Sequence, residues 1–211
     1  MLKISPASVR VRAGQDCLFK AGECGSLWRV VEGTARLDRE TGPSRLPVLL
    51  ALPGDLEGVE ALCDQPYQFT ASAFTDCRLE RVPVASEVER QALLRQALFQ
   101  QQMRSHDMAT LRTGSVLSRL ACLLRLMGLP WQGVHAVDEQ LADALRAALP
   151  ALRELAQMVD AKSETVCRAL AQLLPPRSRK SGPARLNPLP TLSPVVLAPW
   201  ASSSAPLGAL A

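Results

Sequence analysis

The periodicity of this chain switches once, near Ala85, and the switch predicts an α+β fold with its two classes of element segregated along the sequence. Upstream, apolar and polar residues alternate in Ser8-Val9-Arg10-Val11-Arg12, Leu27-Trp28-Arg29-Val30-Val31 and Thr34-Ala35-Arg36-Leu37, the two-residue period of half-buried strands. Turn sequences punctuate them: Ala13-Gly14-Gln15, Ala21-Gly22-Glu23, Glu32-Gly33-Thr34 and Pro53-Gly54-Asp55. Phe69-Thr70-Ala71-Ser72-Ala73 and Arg78-Leu79-Glu80-Arg81-Val82 supply closing strands. Short strands with glycine corners at this spacing predict a compact antiparallel β-roll over residues 1–84.

Downstream, Glu87 to Arg112 contains neither proline nor glycine and is rich in strong helix formers, so residues 85–112 read as one long helix. Leu94, Leu98, Gln101, Ser105 and Met108 form a narrow stripe along it. Such a stripe suits a helix paired with its own copy across a two-fold axis, with Gln101 setting register. It equally suits a surface helix lying on its own β domain. In the paired reading Leu94, Leu98, Gln101 and Met108 make the seam.

Thr113-Gly114 breaks that helix, and Val116, Leu117, Leu120, Ala121, Leu123, Leu124 and Met127 form a strongly apolar one ended by Gly128-Leu129-Pro130. A further helix is expected over residues 137–149, starting near Asp138, with Pro150 at the start of the next. Leu152 to Leu173 then reads as two short amphipathic helices meeting at a tight turn. Leu155, Ala156 and Val159 face inward from the first; Val166, Ala169 and Leu170 face inward from the second. The outward face of the second carries Ser163, Glu164, Thr165, Cys167 and Arg168. Those residue types at a helix start suit hydrogen bonding to base edges and phosphates in a DNA major groove. An ordinary helical hairpin has the same spacing. Residues 113–175 are thus one helical unit, and residues 176–211, dense in Pro, Ala and Ser, read as a disordered tail.

The net charge of +4 is mild, but its distribution is not: no acidic residue follows Glu164, while Arg168, Arg177, Arg179, Lys180 and Arg185 do. No apolar run is long enough to span a membrane and no leader opens the chain, so a cytoplasmic protein without a membrane partner is expected. The six cysteines show no metal-site spacing and read as reduced thiols. No metal or cofactor is expected. No nucleophile–base pair or phosphate loop emerges, which argues against an enzyme.

The order of these parts, together with Leu18-Phe19-Lys20-Ala21-Gly22-Glu23, Ser26 to Gly33, Leu52-Pro53-Gly54-Asp55-Leu56-Glu57-Gly58, Ser118-Arg119-Leu120-Ala121 and Glu164-Thr165-Val166-Cys167-Arg168, resembles the cyclic-AMP receptor protein and fumarate-nitrate regulator (Crp/Fnr) family over roughly residues 8–174. The resemblance implies a homodimeric transcription regulator: a β-roll sensor like a cyclic-nucleotide-binding domain, a dimerisation helix and a helix-turn-helix reader on double-stranded DNA, with RNA polymerase as a further partner. It places the effector pocket at Gly58, Val59, Glu60, Phe69 and Thr70.

The departures limit what carries over. Cyclic-nucleotide binders of the family hold a Glu where Val59 stands and an Arg where Phe69 stands. Without a guanidinium a buried cyclic phosphate stays unpaired, so cyclic AMP is not expected to bind. The cysteine-rich extension that carries an iron–sulfur cluster in the oxygen-sensing branch has no counterpart, so no cluster is expected. Asp160 replaces the usual turn glycine, Cys167 replaces a serine, and the β-hairpin wing has no counterpart after Leu174. Two functions follow: a DNA-binding regulator answering an unidentified signal, or a ligand- or protein-binding dimer that has lost DNA binding through its altered C-terminus.

Overall fold

The computed structural model describes residues 8–14, 17–42, 44–129 and 139–174. The predicted tail, the missing wing and the expected helix start at Asp138 lie outside the described residues.

Among the described residues, seven strands form two antiparallel sheets: β1 (Ser8–Val11), β2 (Trp28–Glu32), β3 (Ala35–Thr41), β4 (Ser44–Ala51), β5 (Leu56–Glu57), β6 (Thr70–Ala73) and β7 (Cys77–Arg81). One sheet runs β1-β7-β2-β5 and the other β4-β3-β6. A short 3-10 turn, Val59–Cys63, follows β5. Strand β4 escapes the alternation test because it carries Pro47 within a nearly continuous apolar run. Proline is tolerated there because β4 lies at its sheet's edge and Pro47 pairs Asp38 where the register shifts, at a bulge between Leu37 and Asp38.

Helix α1 (Glu87–Thr110) starts at Ser86, whose hydroxyl accepts from the Glu89 amide at 3.2 Å. Its inner face is tied to the roll by polar contacts. The Gln100 amide accepts from Leu56 N at 2.7 Å and donates to Leu56 O at 2.8 Å, completing the exposed edge of β5 as a neighbouring strand would. Arg104 forks onto Asp55 at 2.7 and 3.2 Å.

Helices α2 (Val116–Leu126), α3 (Glu139–Ala148), α4 (Leu152–Met158) and α5 (Ser163–Leu173) complete the described residues. Pro150 precedes the helix rather than opening it; Ala151 is the N-cap. One apolar core joins α2, α4 and α5 to the roll: Leu120, Leu123, Leu155, Val159, Val166 and Leu173 are buried together with Leu49, Leu50 and Leu52 from β4 and its end. A second core inside the roll gathers Val30, Ala35, Ala51, Ala73, Cys77 and Leu79.

Candidate nucleic-acid interface

Helix α5 presents two faces because its residues follow the 3.6 period. Val166, Ala169 and Leu173 are buried, while Ser163, Glu164, Thr165, Cys167 and Arg168 are all exposed. The five residues singled out from the sequence therefore share one solvent face in the first turns of the helix. Glu164 and Arg168, four residues apart, form an ion pair at 72% and 75% side-chain exposure, so the contact is screened and readily exchanged for another partner.

The angle between α4 and α5 is set by the turn. Asp160 adopts φ 46, the left-handed region that glycine fills more easily and that Asp tolerates better than most residues. Its neighbour Ala161 donates to Ala156 O at 2.9 Å, closing the end of α4. Arg119 of α2 reaches across and donates through Nη1 to the carbonyls of Val159 at 2.5 Å and Asp160 at 3.2 Å. A cation here satisfies carbonyls that the end of a helix leaves unpaired. Sequence reasoning placed Arg119 only within a family-like stretch; its bracing role depends on a contact across 40 residues.

A groove of about 610 Å³ opens between α3, α4 and α5, lined mainly by Leu149, Leu152, Leu170 and Leu174, with Arg146 and Cys167 at its margin.

Along α1 the predicted seam divides. Leu98, at 59% exposure, and Gln101 are exposed. Leu94 is half-buried against Leu27, Leu56, Leu62 and Leu93. Met108 is a correction: it is 5% exposed and packs in its own chain's core with Leu111 and Leu120, because the inward face of α1 turns past it at the roll's end. The exposed apolar side chains are Val88, Leu98, Phe99 and Met103.

The residues of the expected effector pocket cluster loosely. Gly58 caps the 3-10 turn at φ 68 and is crowded: a Cβ there would fall 2.5 Å from the Tyr67 ring and 2.9 Å from Ser26 O. Val59 packs onto the Leu27–Leu56–Leu62 cluster, and Glu60 accepts from the Gln68 amide at 2.9 Å. Phe69 lies half-buried with the Arg39 guanidinium 5.9 Å from its ring centre. Thr70 is fully buried and accepts from Ala21 N while donating to Glu40, both at 3.1 Å.

One residue that sequence reasoning missed stands beside them. Glu57 is 1% exposed, and neither carboxyl oxygen has a hydrogen-bond partner among the described residues. Burial, then the nearby Asp55 and Glu60, push its carboxyl from the ordinary 4.5 up to about 8. An acidic residue between Leu56 and Gly58 in a central turn was the available sign.

A β-roll of two antiparallel sheets, carried through a long helix to a small helical unit, is the CRP-like cyclic-nucleotide-binding fold. No protein-family model and no curated protein matches the sequence. Among solved structures, a CRP-family transcriptional regulator from Thermus thermophilus is 25% identical, with 77% of this chain and 82% of that one covered and a TM-score of 0.56. A second regulator from that organism, of the CRP/FNR family, is 28% identical, with 77% and 83% covered and a TM-score of 0.51. FixK2 from Bradyrhizobium japonicum, 18% identical with 80% and 84% covered and a TM-score of 0.57, shares the fold. The chain is a divergent Crp/Fnr-like protein.

Proposed function

We propose that this protein is a homodimeric DNA-binding transcription regulator. In this reading α4 and α5 form the helix-turn-helix, and α5 enters the major groove with Ser163, Glu164, Thr165, Cys167 and Arg168 facing the duplex. The observation that carries it is the solvent face of α5: five polar or thiol side chains at the start of a helix whose angle is held by Asp160 and Arg119. Glu164 suits cytosine N4 as an acceptor, and Arg168 suits guanine or a phosphate. Cys167 is a weak donor, so its position contributes less to base choice than a serine would.

The dimer forms along α1, using the exposed Leu98 and Gln101, with Leu94 at the margin. The β-roll answers a signal that is neither a cyclic nucleotide nor an iron–sulfur cluster. Phe69 offers no guanidinium for a cyclic phosphate, whose buried charge would stay unpaired there. RNA polymerase is the partner through which a regulator of this kind acts. Among the described residues no helix is long and apolar enough to cross a membrane, in keeping with a cytoplasmic role.

Selection of bound duplexes from random DNA with the full-length protein tests the reading. A two-fold symmetric sequence, with half-sites about one helical turn apart, is the expected product. Recovery of no preferred sequence favours the alternative, a ligand- or protein-binding dimer that has lost DNA binding.

A further inference from the structure

Helix α5 carries two apolar rows. Val166, Ala169 and Leu173 turn into the core shared with α2 and α4. Cys167, Leu170, Ala171 and Leu174, at spacings of three, one and three, form a second row that lines the groove of about 610 Å³ between α3, α4 and α5. Leu149, just past α3, and Leu152 of α4 line the same groove. Its volume falls in the range of small-molecule sites, roughly 300–1,000 Å³, and its walls are apolar as theirs are. Among the described lining residues Arg146 is the one charged side chain. Its guanidinium donates to Asp143 at 3.0 Å, and the side chain is only 17% exposed, so its charge is largely withdrawn from solvent.

An apolar groove with a cation in its wall complements a molecule with an apolar chain and an anionic head. An arginine fork can hold two carboxylates at once, as Arg104 holds Asp55 and Asp107 in this chain. The Asp143 contact therefore orients the Arg146 guanidinium without barring a second acceptor. We propose that the groove binds a free medium-chain alkyl carboxylate, its chain along Leu149, Leu152, Leu170 and Leu174 and its carboxylate on Arg146. Each methylene withdrawn from water adds to affinity, so the chain supplies most of the binding and the guanidinium selects the head group. Cys167 belongs both to the groove and to the face that α5 offers to DNA, so the occupant stands beside the reading surface. That regulatory meaning rests on the reading of DNA by α5; the binding itself does not.

The test is thermal unfolding of the full-length protein without DNA, at neutral pH and constant ionic strength, titrated with sodium n-octanoate. Sodium acetate and n-octylammonium chloride at equal concentration serve as charge-only and chain-only controls. Octanoate is expected to raise the Tm saturably, by about 4 °C at ten times its Kd. Neither control should match it. Arg146→Gln removes the charge, and Ala171→Phe fills the groove from an exposed position on α5; both should fold and lose the shift. A wild-type shift no larger than that with acetate overturns the proposal. An equal shift with octylammonium assigns the groove to an occupant chosen by its chain alone and overturns it too, as does an undiminished octanoate shift in either variant. Because no DNA is present, each result stands apart from whether α5 reads a duplex.

Discussion

Arg36 of β3 donates through Nη1 to the side-chain oxygen of Gln157 on α4 at 2.9 Å, a polar contact between roll and helix pair that spans 121 residues of sequence. The same guanidinium holds Asp38 at 2.6 Å, with the two side chains 7% and 3% exposed. Arg36→Met leaves the Asp38 carboxylate buried without its cation. It should cost about 3–5 kcal/mol in urea denaturation. Gln157→Ala keeps the ion pair and should cost only about 1–3 kcal/mol. Equal and small losses would contradict the buried contact.

Glu57 makes stability depend on pH in a defined direction. The folded chain keeps the proton up to about pH 8, whereas the unfolded chain releases it near its ordinary 4.5. Between those values the folded state binds more protons, so this group's contribution falls as pH rises and is lost through the folded value. Glu57→Gln should therefore gain stability relative to wild type across that window, by at most about 1.4 kcal/mol per pH unit. Denaturation at several pH values reads the difference; parallel wild-type and variant profiles would contradict it.

Leu98 and Met108 separate the outer face of α1 from its inner one. Leu98→Glu alters an exposed position and should change monomer stability by no more than about 0.5 kcal/mol, while shifting sedimentation equilibrium toward monomer. Met108→Glu buries a carboxylate in the core shared with Leu111 and Leu120, and should unfold the chain instead. A folded, monomeric Met108→Glu would return that residue to the seam.

Much of this was legible because it depends on local period. The strands around Val9, Val30 and Leu79 and the long helix from Glu87 follow from alternation and from the absence of Gly and Pro. The inner face of α5 was legible at Val166 and Ala169, which are buried as the 3.6 spacing requires; Leu170 is half-buried, and Leu173 completes the face instead. Strand β4 was not legible, because edge position and a bulge excuse Pro47, and neither is visible before pairing is known. Met108 was misplaced because a helix stripe shows which residues share a face, not which neighbour covers it. Arg119, Arg36 and Glu57 take their roles from long-range packing, which a one-dimensional pattern does not contain.

Asp160 illustrates how a departure from family pattern can still fit. At φ 46 a β-branched residue is strained, so Asp160→Val should destabilise by about 1–2 kcal/mol, and Asp160→Gly should be tolerated. Denaturation midpoints of the two variants distinguish this from a turn that is free to choose another conformation, in which Val and Gly would behave alike.

The central claim is that α5 reads DNA, and its most direct test is fluorescence anisotropy on the selected duplex across a salt series, with wild type beside Arg168→Ala. Arg168 is 75% exposed at its side chain, so its removal should leave folding intact. The account predicts binding that weakens steeply with salt and a loss of about 1–3 kcal/mol on Arg168→Ala. Salt-insensitive binding, or equal affinity in wild type and variant, would contradict it.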